Sequence, residues 1–202
     1  NVTGYELTLA CYDENQRHEW QSEFDHVFEL LETKEDGSKI FNQVSKKMMF
    51  ISSRQTIHSV KMCKASFDEA LNYSESNTSD ETVSTDSIWR KGTDFWCTVT
   101  NELSSHSSVS LPKKVTSTPV KIDSEVISIA QTISDPELSN DRNHLLTEAI
   151  QYTKVDFGGW LNSHAISLIA SVHAPRLINN LFKFLQRKYI DSNEPILHGP
   201  VD

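Results

Sequence analysis

YELTLACYDENQRHEWQSEFDHVFELL, residues 5–31, is the stretch on which the reading of the fold turns. Tyr5, Leu7, Leu9 and Cys11 alternate with Glu6, Thr8, Ala10 and Tyr12, the period of a strand with one buried face. Asp13-Glu14-Asn15 then offers helix caps, and Asp13 with Gln16 three residues on is a capping-box pattern. Trp20, Phe24, Val27, Phe28 and Leu31 follow at spacings of three and four, which predicts one apolar stripe along a helix. The stretch thus reads as a strand entering an amphipathic helix, with Leu7, Leu9, Trp20, Phe24, Phe28 and Leu31 in a core.

Moving outward, Val44–Ile51 and Thr56–Met62 pair as candidate strands about Ser52-Ser53-Arg54, and residues 66–71 read as a short helix. Residues 72–87, NYSESNTSDETVSTDS, are acidic and polar with Val83 as their one aliphatic residue, so a mobile loop is expected. Phe95, Cys97 and Val99 alternate with Trp96 and Thr98, as in a strand covered in part on both faces. Residues 104–119 are rich in Ser, Thr and Pro and read as a linker. Beyond Val120 the pattern reads as helical. Helices are expected from Ser124 to Ile133, from Asn140 or Asp141 to Tyr152, and from Ala165 to Val172. A last helix opens near Pro175 and carries Leu177, Ile178, Leu181, Phe182, Leu185 and Tyr189 as one stripe, with Leu181 and Leu185 as core positions.

Length and charge bound the function. The chain has 202 residues, enough to bury a core, and a formal net charge of -9. That charge argues against a broad electrostatic footprint on nucleic acid or an anionic membrane. No apolar run reaches the roughly 18 residues of a membrane span. The chain opens at Asn1 without a Met, which reads as a piece of a longer protein. Cys11, Cys63 and Cys97 are few, odd in number and far apart, which favours a reducing compartment and packing roles. Sequons stand at Asn1, Asn72 and Asn77, a density that chance alone supplies.

Chemistry-bearing patterns are sparse. His18 and His26, or His164 and His173, have neither the spacing nor the carboxylate partners of a metal site, and no paired-Cys motif occurs. No serine stands in a nucleophile elbow and no Gly-rich phosphate loop is present. No catalytic, cofactor-binding or metal-binding residue is assigned on this reading, and no cofactor is expected. Thr78, followed by Glu81, and Thr118, followed by Pro119, match phosphorylation patterns.

Leu7-Thr8-Leu9-Ala10, then Asp13-Glu14-Asn15, then Arg17-His18-Glu19-Trp20 resembles the closing strand and C-terminal helix of a pleckstrin-homology (PH) domain. The resemblance implies a helix plugging one end of a bent β-sandwich, with Trp20 as its wedge. The earlier strands of such a domain have no counterpart upstream, so no lipid-binding residue carries over. A second run, from His173-Ala174-Pro175-Arg176-Leu177 through Leu181-Phe182-Lys183-Phe184-Leu185-Gln186-Arg187 to Asn193-Glu194-Pro195, is similar to a stretch of Rho GTPase-activating domains, without the arginine-finger loop.

Together these readings predict an α+β fold. It consists of a partial or atypical PH-like β-sandwich with a capping helix over 1–103, a linker over 104–122 and a helical module over 123–202. The resemblance implies an intracellular, non-enzymatic regulatory or scaffolding role in small-GTPase signalling. The partner would be a GTPase or the remainder of the parent chain. Nucleic acid is excluded and membrane contact is peripheral. The alternatives are a catalytic exchange factor or GAP-like regulator, and a secreted or viral interaction protein.

Overall fold

The computed structural model describes residues 1–47, 51–65, 95–103, 119–133, 140–157, 166–167 and 169–200. Two helices come first, α1 (Gly4–Tyr12) and α2 (Glu14–Gln21). The strands β1 (Asp25–Thr33), β2 (Lys39–Ser45), β3 (Arg54–Ala65), β4 (Phe95–Glu102), β5 (Val120–Lys121), β6 (Asp123–Ile133) and β7 (Leu146–Asp156) follow. The helix α3 (Ala174–Leu185) comes last, with single π-helical turns on either side, Ile169–His173 and Gln186–Asp191. The strands make one sheet in the order β1-β2-β3-β4-β6-β7. Each neighbouring pair is antiparallel, and β5 adds a short parallel pairing beside Arg54 and Gln55 of β3.

The opening stretch is therefore inverted relative to its reading: residues 5–11 are helix and residues 25–33 are strand. The start of α1 is fixed by Thr3 and Glu6. Thr3 Oγ1 accepts from the Glu6 N–H at 3.1 Å, and the Glu6 carboxylate accepts from the Thr3 N–H at 2.9 Å. The apparent alternation arises because α1 is enclosed on two sides. Gly4 and Thr8, four apart, face the sheet, where the Gly4 N–H donates to Thr132 Oγ1 at 2.7 Å. Leu7 and Cys11, also four apart, pack against a helical cluster of Ala10, Trp20, Phe184, Leu185 and Tyr189. Two helical stripes offset by three residues reproduce the odd–even pattern of a strand.

Asp13 does cap α2, accepting from the Gln16 N–H at 3.0 Å. The helix stops at Ser22, however, so Phe28 and Leu31 stand on the edge strand β1, and Leu31 is exposed. No strand precedes this helix to make the PH-like end expected here. The PH-like sandwich is replaced by one sheet with helices on one face.

Beyond residue 123 the described part of the expected helical module opens with strands rather than helices. Ser124–Ile133 forms β6, and the segment expected as a helix to Tyr152 is a 3₁₀ turn, Arg142–His144, followed by β7. Val126, Ile127, Ile129, Thr132 and Ile133 are β-branched, and a pleated surface accommodates them better than a helix. Because β6 pairs with β4 along seven consecutive residues, the 104–122 segment joins two strands of one sheet rather than two modules. Helix α3 forms as the stripe predicts, with Pro175 in its first turn, but Ile178 and Phe182 are exposed rather than inward. The short helix expected at 66–71 and the acidic loop at 72–87 lie outside the described residues, as do Thr78 and Thr118.

Candidate functional site: a cavity between the sheet and the last helix

Ladder partners in an antiparallel sheet point to the same face. The register therefore puts Gln43, Thr56 and His58 on one face with Thr98 and Thr100 of β4. Val126 and Ser128 of β6 and Gln151 and Thr153 of β7 share that face. These side chains floor a cavity of about 360 Å³. Its roof is apolar: Trp20 of α2, Ile169 ahead of α3, and Leu177, Ile178 and Leu181 of α3, with Cys11 at the edge. Gln151, Thr153 and Ile178 line the cavity and are also exposed, so it opens to solvent between β7 and α3. The volume lies in the range of small-molecule sites, roughly 300–1,000 Å³.

Helix α3 and the turn after it are tied to α2 and the residues just beyond it by outer charges. Arg176 pairs with Glu23, Asn180 Nδ2 donates to the same carboxylate at 2.9 Å, and Arg187 pairs with Glu19. Tyr189, buried just beyond α3, donates its hydroxyl to Gln16 Oε1 at 3.0 Å. Trp20 ties the roof to α1 by donating Nε1–H to the Ala10 carbonyl at 2.9 Å.

The inner end of the cavity is polar. Arg17 donates Nε–H to Gln21 Oε1 at 2.9 Å, and its guanidinium stands 5.0 Å from the Phe28 ring centre and 5.8 Å from that of Phe41. Burial lowers the Arg17 pKa. Nearby, burial pushes the Asp25 carboxyl up to about 7, against two hydrogen bonds from Gln43 Nε2 and the charges of Arg17 and Lys46. His58 is 1 % exposed, and burial followed by the Arg17 charge drives its pKa well below the usual value, so it is a neutral imidazole. Among the described residues, both His58 nitrogens, Thr56 Oγ1 and Arg54 Nε have no hydrogen-bond partner. This end can donate and accept hydrogen bonds to a bound group.

The expected core positions divide. Trp20 and Leu181 line the cavity, and Leu185 is buried in the helical cluster beside half-buried Leu7. Leu9 is half-buried. Phe24 is half-buried beneath the Arg176 guanidinium, and Phe28 stacks on Phe41 with ring centres 4.8 Å apart. The sequence reading missed the polar floor. Its signal is the period-two run Arg54-x-Thr56-x-His58, matched by Thr98-x-Thr100. No group of three or more metal-ligating side chains gathers among the described residues. No helix among them is long and apolar enough to cross a membrane.

The same architecture occurs in known structures. The chain is similar to human StAR-related lipid transfer protein 5, with a TM-score of 0.59 and 13% identity, over 92% of this chain and 71% of that one. It is also similar to human STARD10, with a TM-score of 0.58 and 12% identity, over 95% of this chain and 64% of that one. A third likeness is to the lipid transfer and protein localization domain of human StarD13, with a TM-score of 0.52 and 11% identity, over 89% and 72%. At these identities the likeness is one of fold. No family model matches the sequence. No curated protein matches it either. These neighbours are neither PH nor Rho GTPase-activating domains, so both resemblances of the sequence are overturned. The scaffold in small-GTPase signalling, the GTPase partner, the GTPase-regulator alternative and the secreted or viral alternative fall with them.

Proposed function

We propose that this protein binds one lipid molecule in the cavity between its sheet and α3, and carries it through the aqueous phase. The observation that carries the reading is the cavity itself: a polar strand floor faces an apolar helical roof, with an opening beside α3. Such a lining suits an amphiphile, whose head hydrogen-bonds the floor while its hydrocarbon is withdrawn from water at about 25 cal/mol per Å². The fold likeness to three structures, two of them named for lipid transfer, supports the same reading. The cytoplasm is the proposed compartment, in keeping with three free cysteines. Contact with membranes is transient, for loading and release.

The test is retention. The protein is incubated with vesicles of mixed cellular lipids, re-isolated by gel filtration, and extracted for mass spectrometry. One lipid class should travel with it at close to one molecule per chain. Leu181→Trp, which fills the cavity from its roof, should abolish retention while leaving the circular dichroism spectrum unchanged. If lipid retention is nil for the wild-type chain, or equal for the filled variant, this reading is wrong.

A further inference from the structure

The cavity has an electrostatic bias opposite to that of the protein. The chain carries a formal charge of -9, yet the described residues lining the cavity include two arginines, Arg17 and Arg54, and no Asp or Glu. Arg54 is 7 % exposed. Among the described residues its side chain meets only the Ser52 carbonyl, from Nη1 at 3.3 Å, and its Nε lacks a partner. Two and four residues along the same strand face, Thr56 Oγ1 and both nitrogens of His58 are likewise without partners. Each of the three residues is more than nine-tenths buried.

Four unpaired polar atoms on three successive inward positions are unusual in a folded protein, where buried polar groups find partners. Leaving one unmade costs more than a typical hydrogen bond returns. A buried guanidinium in particular calls for an anion, since charge is tolerated inside only when paired. Water could occupy such a site, but it would leave the positive charge uncompensated. Arg17 adds a second positive charge in the same cavity, partly offset by Asp25, which lies beside it but does not line the space. A volume of about 360 Å³ is near the lower end for ligand sites, which favours one hydrocarbon chain over two.

We propose that the ligand is a single-chain lipid with an anionic head, its carboxylate or phosphate set against Arg54, Thr56 and His58 and its chain lying under Trp20, Leu177 and Leu181. This inference rests on the lipid-binding reading above and adds the chemistry of the head group. The guanidinium supplies the countercharge through Nε–H and an Nη–H. Thr56 donates its hydroxyl, and neutral His58 donates from whichever nitrogen carries its proton.

Competition against an uncharged probe tests it. A pyrene-labelled fatty alcohol is bound, then displaced by oleate, by oleoyl lysophosphatidate or by oleyl alcohol. The two anions should compete at least about tenfold better than the alcohol, the scale of one charge-assisted hydrogen bond. Whichever anion is tighter identifies the head as carboxylate or phosphate. Arg54→Gln should erase that preference, and a circular dichroism spectrum matching the wild type's shows that the variant is folded. Arg54→Lys should keep most of the preference. Equal competition by acid and alcohol would overturn the head-group inference and leave lipid binding standing. A preference that survives Arg54→Gln would overturn the assignment to this strand face. Failure of the probe and every competitor to bind would remove the lipid reading as well.

Discussion

Arg142 holds Glu6 by both terminal nitrogens, Nη2 to Oε1 at 2.8 Å and Nη1 to Oε2 at 3.0 Å. The carboxylate is fully buried, and it also accepts from the N–H groups of Thr3 and Leu197. Arg142 in turn donates to the carbonyls of Asn1, Glu194 and Pro195, with its guanidinium 5.7 Å from the Tyr189 ring centre. One ion pair thus joins the N-terminal helix, the turn ahead of β7 and the C-terminal tail.

Breaking a buried pair from one side leaves the other charge uncompensated, at a cost of about 3–5 kcal/mol. Arg142→Met should therefore lose that much stability in urea unfolding. Glu6→Gln should lose less, because the amide oxygen still accepts one of the backbone N–H groups. A loss under about 1 kcal/mol for Arg142→Met would show that the pair does not clamp the termini.

Gly4 sets how closely α1 approaches the sheet. A Cβ there would stand 2.9 Å from the Ala130 carbonyl oxygen, and both sides of the contact are backbone. Helix propensity alone would make Gly4→Ala stabilising by up to about 1 kcal/mol. The clash should win, since overpacking typically costs 1–3 kcal/mol. The variant should melt below the wild type, and a higher melting temperature would mean that α1 can lift off β6 freely.

How much of this was legible in the sequence follows from where each element packs. Helix α3 was legible because its stripe and Pro175 are local signals, and the strand at Thr56–Met62 falls inside β3. Helix α1 was not, because a helix buried on two faces loses the single-stripe signature, and Leu7/Cys11 with Gly4/Thr8 mimic alternation. Thr3-x-x-Glu6 was the corrective signal, lying two residues ahead of the stretch that was read as strand. The runs of β6 and β7 carry helix-like spacing, but tertiary pairing, not period, decides short mixed runs. The cavity was illegible for a different reason: its floor is polar, and inward polar residues such as Thr98 and Thr100 read as solvent-facing until the sheet is assembled.

Two buried groups bias the pH dependence of stability in opposite directions. The folded-state pKa of Asp25 is raised from 3.8 to about 7, so the native state holds an extra proton between those values. Its contribution is favourable at low pH and is lost as pH rises through 7. Asp25→Asn removes the effect, so the variant should gain on the wild type between about pH 4 and pH 7.5, by up to about 4 kcal/mol, and then level off. His58 is depressed well below 6.5, so the unfolded chain takes the proton first and the wild type loses stability as pH falls below 6.5. His58→Leu should gain on the wild type over that acid range. Parallel urea titrations from pH 4 to 8 read both differences, and slopes of the same sign would contradict the assignment.

Cys63 and Cys97 are register partners across β3 and β4, on the sheet face turned away from the cavity. The Cys97 thiol donates to the Cys63 carbonyl at 3.4 Å, and its hydrogen bonding, aided by the Lys61 charge, holds the Cys63 thiol below its usual pKa while Cys97 is pushed up. Cys11 sits at the cavity edge, where burial raises its pKa to about 11. The thiolate is the reactive form, so at pH 7.5 more of Cys63 than of Cys11 is nucleophilic. Iodoacetamide under native conditions should modify Cys63 first, with peptide mapping showing Cys11 and Cys97 both slower. Cys97→Ser keeps a hydroxyl donor and should leave Cys63 fast. Cys97→Ala removes the donor and should slow Cys63 toward an ordinary thiol. Equal rates for Cys63 in the Ser and Ala variants would mean that the cross-strand hydrogen bond does not set its reactivity.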